Sequence, residues 1–186
     1  MKVKFSVVKK TIVVFLFDFI EYIGLIIGYV PNHSLRLFYY KAFLKIKIGK
    51  NSSIHRCCQI RRGKITIGDN VIIGENALLD GRMGLIIKDN VNISSNVSIY
   101  TLQHDYNSPT FEGSGGKVII EMNSWISCNS VILPSVIVNE GAVIGAMSLI
   151  NKDVPAYTLV GGIPFKVIKD RNKRIEYKLN YHKSFF

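Results

Sequence analysis

The stretch Ile87-Lys88-Asp89-Asn90-Val91-Asn92-Ile93-Ser94-Ser95-Asn96-Val97-Ser98-Ile99 sets an aliphatic residue at every sixth position. A helix repeats every 3.6 residues and a strand every 2.0, so neither sustains a period of six. Such a period belongs to a repeat architecture, in which each coil buries its apolar side only against its neighbours. Working outward, the ladder occupies positions 48, 54 and 60, then 67, 73 and 79, then 87, 93 and 99, then 120, 126 and 132, then 138, 144 and 150. Every one of these is Ile, Val or Leu.

Two further positions of the repeat carry a signal. Four residues after each aliphatic stand Ser52, Cys58, Val71, Ala77, Val91, Val97, Ser124, Ser130, Val136, Ala142, Ser148 and Val154, side chains small enough for a narrow interior corner. Three residues after it stand Asn51, Asn70, Asn76, Asn90, Asn96, Asn123 and Asn129, with Gly63 and Gly141 alongside. Asn and Gly adopt positive φ most readily, as a sharp corner every six residues demands.

Grouped in threes, the ladder gives coils starting at 48, 67, 87, 120 and 138. The departures from a regular eighteen-residue coil all fall between the third hexad of one coil and the first of the next, so the insertions leave from one corner. Lys64, Met83 and Gln103, which break the small-residue rule, lie there too. The expected fold is an all-β core, a three-sided parallel β-helix of about five full coils over 47–163, with a loop insertion at 102–119. An N-terminal helical appendage (1–46) precedes it and a basic C-terminal extension (164–186) follows.

The net charge of +11 is uneven. Residues 1–50 hold nine Lys/Arg against two acids, residues 164–186 hold seven against two, and the stretch between holds eight against nine, so the flanks carry +12 and the middle −1. Basic ends suit an anionic membrane surface or a phosphorylated ligand, or simply solvate the protein. No nucleic-acid-binding motif accompanies them, so nucleic acid is not expected as a partner. Cys57, Cys58 and Cys128 form neither an even framework nor a CxxC pair, which reads as reduced thiols of a cytoplasmic protein. No metal-ligand cluster is evident, and no metal is expected.

Lys2, Lys4, Lys9 and Lys10 precede an apolar run from Thr11 to Val30. Asp18 and Glu21 within it would be costly in hydrocarbon and no small-residue cleavage site follows, which argues against a span or a signal peptide. The expectation is a helix lying on the inner face of a membrane or against a neighbouring subunit. Pro31 would end it, and Ser34 would cap a second helix from Leu35 to about Leu44.

The ladder, the run His104-Asp105-Tyr106-Asn107-Ser108-Pro109-Thr110-Phe111 and the ending Val160-Gly161-Gly162-Ile163-Pro164-Phe165-Lys166-Val167-Ile168 together resemble the hexapeptide-repeat acyltransferases, in their sugar and polysaccharide O-acetyltransferase branch. The resemblance covers about Ile48 to Lys169. It implies a left-handed β-helix, against the usual right-handed crossover, a homotrimer with active sites between subunits, acetyl-CoA as donor and a saccharide acceptor.

Acetyl transfer to a hydroxyl needs a base, and histidine is the side chain suited to that work near neutrality. His33 and His182 lie in the flanks, and His55 follows a ladder Ile, where it reads as an outward surface side chain. His104 stands at the specialised corner and is the expected general base. Asp80, one coil earlier at that corner, matches a position where related enzymes handle the acceptor, and would bind a sugar hydroxyl or orient His104. Asp105 is a second candidate for that role, though its place next to His104 suits loop shaping first.

The resemblance assigns the cofactor side to Trp125, Cys128, Ala146, Asn151, Lys152, Lys166 and Lys169, the last two near the nucleotide phosphates. Ser127 and Phe165 depart from the family pattern, which has a small residue at both places. The insertion, with Gly113, Gly115 and Gly116, would cover the acceptor and close over it. Rival readings are N-acetylation of an amino sugar, acetylation of a xenobiotic, and a non-catalytic trimeric scaffold at the membrane. A metal-dependent hydratase would need more histidines than His55 and His104 in the coils.

Overall fold

The computed structural model of the chain describes residues 2–181, with side chains from Lys10 onward; His182 lies outside the described residues. The period of six becomes a triangular solenoid, because each hexad supplies one short strand and one corner. The first face stacks Lys47–Ile48, Ile65–Ile67, Leu85–Ile87, Val118–Ile120 and Ile137–Val138, all in parallel. The second stacks Ser53–Ile54, Ile72–Ile73, Asn92–Ile93, Trp125–Ile126, Val143–Ile144 and Thr158–Gly161. The third stacks Gln59–Arg61, Leu78–Asp80, Ser98–Ile99, Val131–Ile132 and Leu149–Ile150. Five coils are complete and a sixth is begun.

Thirteen of the fifteen ladder residues are buried, with Ile48 and Ile60 of the first coil partly covered. All twelve small residues four places on are buried too. Where the small residue is serine its hydroxyl has a carbonyl to donate to, Ser52 to Gly68 at 2.7 Å, Ser130 to Gly145 at 3.0 Å and Ser148 to Gly145 at 2.7 Å. A hydroxyl in that corner is therefore satisfied rather than a burial penalty. Cys58 is likewise inert, since burial pushes its thiol up to about 12 and its Sγ donates to the Gly74 carbonyl.

All seven asparagines take the left-handed conformation, with φ between 56° and 61°. Three unexpected residues, Cys57, Ser135 and Met147, occupy the same corner at φ 61°, 68° and 57°. Gly63 is not left-handed; it is glycine because a Cβ there would come within 1.8 Å of the Gly81 carbonyl oxygen. Val154, grouped by spacing with the corner residues, instead bridges Val138, and Val160 pairs with Ile144. The sixth coil is thus shortened by two residues.

Helix α1 spans Lys2–Gly28 and helix α2 spans His33–Ala42. The cap of α2 is Asn32 rather than Ser34: its Oδ1 accepts from the Leu35 N–H at 3.0 Å. Pro31 sits just before it, so the chain enters the helix two residues earlier than the apolar pattern implies. Ile20, Ile23 and Ile27 of α1 pack on the core, the Tyr39 hydroxyl donates to the Ile20 carbonyl at 2.7 Å, and the Glu21 carboxylate accepts from the Arg62 N–H at 2.7 Å. Fully buried Arg36 joins the elements by donating to the carbonyls of Val30 and Ile54.

At the other end, Lys166–Asp170 folds back antiparallel on Thr158–Gly161. Residues 171–181 then return along the solenoid as an extended strap. Arg171 donates to the carbonyls of Asn123 and Gly141 at 2.8 and 2.9 Å, while Asn90 clasps the Tyr177 carbonyl and the Leu179 N–H. Tyr181 reaches Ser53 of the first coil.

Urea unfolding checks this frame. Ile126→Ala should lower stability by about 2–5 kcal/mol, because the stacked coils above and below cannot collapse into the void. Asn96→Ala should cost about 1 kcal/mol and Asn96→Gly almost nothing, since only the left-handed φ is at stake there.

Candidate active site

Three parallel sheets leave little irregular backbone, and the largest irregularity follows Ile99. There Leu102–His104 pairs antiparallel with Gly113–Gly115, His104 opposite Gly113, so the insertion is a β-hairpin lying off the corner between the third and first faces. Its glycines serve close packing. A Cβ on Gly115 would stand 2.3 Å from the Thr101 carbonyl oxygen and one on Gly116 2.4 Å from Ser135 Oγ. The expected closing cover is, in this structure, a hairpin seated against the coil.

His104 is exposed at the hairpin's edge. Its Nδ1 lies 2.8 Å from the Phe111 carbonyl oxygen, and its ring stacks on the Phe111 ring at 4.1 Å and 10°. A carbonyl only accepts, so Nδ1 carries the hydrogen and the neutral ring keeps its lone pair on Nε2. Phe111 has φ 53°, and this left-handed turn brings its carbonyl and ring onto the same imidazole. The ring is thereby held by a backbone carbonyl and not by a carboxylate.

Asp80 and Asp105 are both engaged elsewhere, which corrects the expectation that either orients His104. Asp105 caps its own turn: Oδ1 accepts from the Asn107 N–H at 2.9 Å. Asp80 is fully buried. Its carboxylate takes Arg82 Nε at 2.9 Å, Arg82 Nη2 at 2.8 Å, the Arg82 N–H at 3.1 Å and the Thr101 N–H at 3.0 Å. Burial by itself would raise its pKa; the Arg82 hydrogen bonds and charge and the Thr101 N–H outweigh that and hold it at about 2. Four donors leave that carboxylate no free place for a sugar hydroxyl. What it does instead is fix Arg82, whose Nη2 also donates to the Leu102 carbonyl at the start of the hairpin.

Register makes one column of this corner. Arg61 pairs with Asp80, Leu79 with Ile99 and Ile99 with Ile132, so Arg61, Asp80, Tyr100 and Leu133 stack coil upon coil. A cavity of about 530 Å³ lies over the column, lined by Arg61, Arg82, Tyr100, His104 and Phe111 among others. Arg61 lies over the Tyr100 ring at 5.6 Å. Arg61, Arg82, Tyr100 and Phe111 were not singled out by sequence reasoning, although Arg82 follows Asp80 by two residues within an insertion at the same corner.

The residues assigned to the cofactor fall into four places. Trp125 is exposed on the second face, its Nε1 donating to Ser94 Oγ at 3.2 Å, and with Lys169 it lines a separate cavity of about 400 Å³. Cys128 and Ala146 follow paired ladder residues at the next corner, where the Cys128 carbonyl accepts from the Met147 N–H at 3.0 Å. Asn151 and Lys152 continue the His104 column one coil beyond Leu133. Lys152 Nζ sits 5.4 Å from the Phe165 ring, which is buried in the last coil where a small residue was expected. Lys166 is exposed on the returning strand. His104 lines the first of these cavities and Trp125 the second. Among the described residues no group of three or more His, Cys, Asp or Glu gathers as metal ligands.

Residues 117–152 match the model of the bacterial transferase hexapeptide (six repeats). The chain is 36% identical over 143 residues to the dTDP-4-amino-4,6-dideoxy-D-glucose acyltransferase of Escherichia coli, covering 70% of this chain and 74% of that one. It is 30% identical over 140 residues to a protein of Escherichia coli K12 provisionally named a colanic acid biosynthesis acetyltransferase, covering 73% and 77%. A hexapeptide-repeat acetyltransferase of Vibrio cholerae, solved with acetyl coenzyme A, superimposes with a TM-score of 0.71 at 26% identity, covering 81% of this chain and 84% of that one. The stacked coils, the corner hairpin and these relatives together place the chain in the hexapeptide-repeat acyltransferase family, and its solenoid is that family's left-handed parallel β-helix.

Proposed function

We propose that this acyltransferase moves an acetyl group from acetyl-CoA to a hydroxyl of a saccharide during assembly of a cell-surface polysaccharide such as capsule, O-antigen or exopolysaccharide. The observation that carries the reading is the His104 imidazole, fixed through Nδ1 to the Phe111 carbonyl so that Nε2 is the nitrogen left for the cavity. Nε2 removes the hydroxyl proton as the oxygen attacks the thioester carbon. The tetrahedral oxyanion then collapses, the C–S bond breaks, and the imidazolium returns its proton to the departing thiolate, giving an acetyl ester and CoA. No covalent enzyme intermediate is needed, and Cys128 stands at another corner.

A homotrimer fits this chemistry, because the surface with Trp125 and Lys169 and the surface with His104 lie on different faces of one chain. A neighbouring copy would bring the two together around one acetyl-CoA, with Cys128, Ala146, Asn151 and Lys152 along the pantetheine arm and Lys166 and Lys169 at the phosphates. The reaction belongs in the cytoplasm, where acetyl-CoA is available.

Acyl transfer to an amino sugar is the second reading, favoured by the amino-sugar acyltransferase among the relatives. The polysaccharide acetyltransferase among the relatives favours the hydroxyl. Charge acts alike on both acceptors: Asp80 balances Arg82, and Arg61 at the cavity wall would pair with a phosphate or carboxylate on either sugar.

Three measurements test these points. His104→Ala should lower acetyl transfer by about 10²–10⁴-fold while CoA binding persists; near-normal turnover would remove His104 from the mechanism. In an acceptor panel read by mass spectrometry, Arg61→Gln should raise KM about tenfold for acceptors with an anionic group and leave neutral ones unchanged. The depressed Asp80 pKa contributes stability that is complete above the ordinary carboxylate value of about 4 and is lost as pH falls through about 2. Asp80→Asn should therefore flatten acid unfolding across that window, and by loosening Arg82 it should raise acceptor KM at neutral pH.

A further inference from the structure

Helix α1 has two unlike sides. Ile20, Ile23, Gly24, Ile27 and Gly28 face the solenoid and are buried or half-buried. On the opposite side Phe15, Tyr22, Leu25, Ile26 and Tyr29 are exposed, between 41% and 67% of their surface, at the spacing of one helical stripe. Phe19 borders the stripe, and Phe15 and Phe19 stack at 6.5 Å. The half of α1 from Lys10 to Phe19 is exposed all round. Next to it, α2 adds exposed Leu35 and Phe38. So many large apolar side chains exposed along one helix, interrupted only by Asp18 in the stripe, are uncommon on a soluble monomer and mark something that covers them.

We propose that this surface docks the molecule onto an anionic membrane, with α1 lying along the lipid headgroups, so that the His104 cavity is held at the membrane surface. Charge chooses this occupant over a second copy of the chain. Lys10, Lys41, Lys45 and Lys47 are exposed on and around the two helices, and residues 1–50 carry eight lysines against two acids. Two such surfaces facing one another would repel; an anionic bilayer attracts them. Tyr22 and Tyr29 suit the interface, where a ring can be buried with its hydroxyl wet.

The helix lies on the membrane and does not cross it. Although Lys10–Gly28 is long and apolar enough to span, its inner side is pinned to the solenoid. Arg62 N–H is on Glu21, Tyr39 Oη on the Ile20 carbonyl, and Cys57 N–H on the Gly28 carbonyl at 2.9 Å. Insertion would break all three in hydrocarbon. Asp18, in the exposed stripe between Phe15 and Tyr22, likewise keeps the helix at headgroup depth.

Helix α1 also packs against the strand Gln59–Arg61, whose last residue lines the site's cavity. The Arg62 guanidinium lies 3.3 Å from the Phe17 ring centre, and the adjacent residue Arg61 lines the His104 cavity. A molecule resting on α1 therefore presents that cavity close to the lipid, within reach of a saccharide still attached to its lipid carrier.

Flotation of the full chain with phosphatidylcholine vesicles containing phosphatidylglycerol tests the proposal, beside the variant Phe15→Glu/Tyr22→Glu/Tyr29→Glu, which leaves the packed side of α1 untouched. Circular dichroism and acetyl-CoA binding establish that the variant is folded. The expected result is strong flotation of the full chain, about tenfold weaker on phosphatidylcholine alone and about tenfold weaker for the variant. Equal flotation of both chains, or none by either, overturns it. So does a variant whose only change is its oligomeric state by light scattering, since the surface would then belong to a second copy.

Discussion

Everything in this structure depends on stacking an aliphatic residue directly over another at every sixth position. The interior of a three-sided coil is narrow: each face supplies one branched ladder side chain, and the corners take small residues except at the specialised corner, where Ile65, Leu85 and Val118 are buried instead. Thirteen fully enclosed Ile, Val and Leu side chains, each worth about 1.5–3 kcal/mol of burial, set against the backbone entropy of very short strands, make the coils cohere. The constraint then propagates. A chain that turns every six residues needs left-handed corners, hence asparagine at φ near 60°, and an insertion is tolerated only where it leaves the stack undisturbed.

The insertions leave from one corner, and stacking turns that corner into a site. Parallel register places the residues that follow each ladder position directly above one another, so Arg61, Asp80, Tyr100 and Leu133 form a column although they are far apart in sequence. The hairpin that carries His104 is tied to the column at its root, through Arg82 and the Leu102 carbonyl and through the Gly116 N–H on the Thr101 carbonyl. A histidine on a long loop would ordinarily lose its position to loop entropy. This one is fixed by a ring stack and a carbonyl, both from Phe111 in the turn before the returning strand.

How much of this was legible in the sequence follows from range. The ladder, the small corners and the asparagines are local and periodic, and the structure buries or turns them as the period requires. His104 stood out because it interrupts that period. The partners of His104 and Asp80 did not, because Phe111 orients the imidazole with a backbone carbonyl, which any residue could supply, and Arg82 reaches Asp80 only once an insertion curls back on its own strand. Shared corner position suggested that Asp80 meets His104; burial decided otherwise, since a carboxylate taken wholly out of water must find cations and N–H groups at once. Cys57, Ser135 and Met147 at left-handed φ were invisible for the opposite reason: tertiary stacking imposes the corner there against their preference.

Asp80 and Arg82 show what the solenoid contributes beyond a scaffold. A surface arginine is a flexible charge that loses rotamer freedom whenever it binds something. Here the ionised Asp80 is immobile within the coil, and by holding Arg82 through two guanidinium nitrogens it converts that flexible charge into a fixed one at the wall of the cavity. The pair is only half buried, with the guanidinium 37% exposed and the carboxylate not at all, so desolvation falls on the partner that four donors compensate. The rigidity that began as packing of apolar side chains is in this way passed outward, through one carboxylate, to the polar wall that any acceptor entering the cavity must meet.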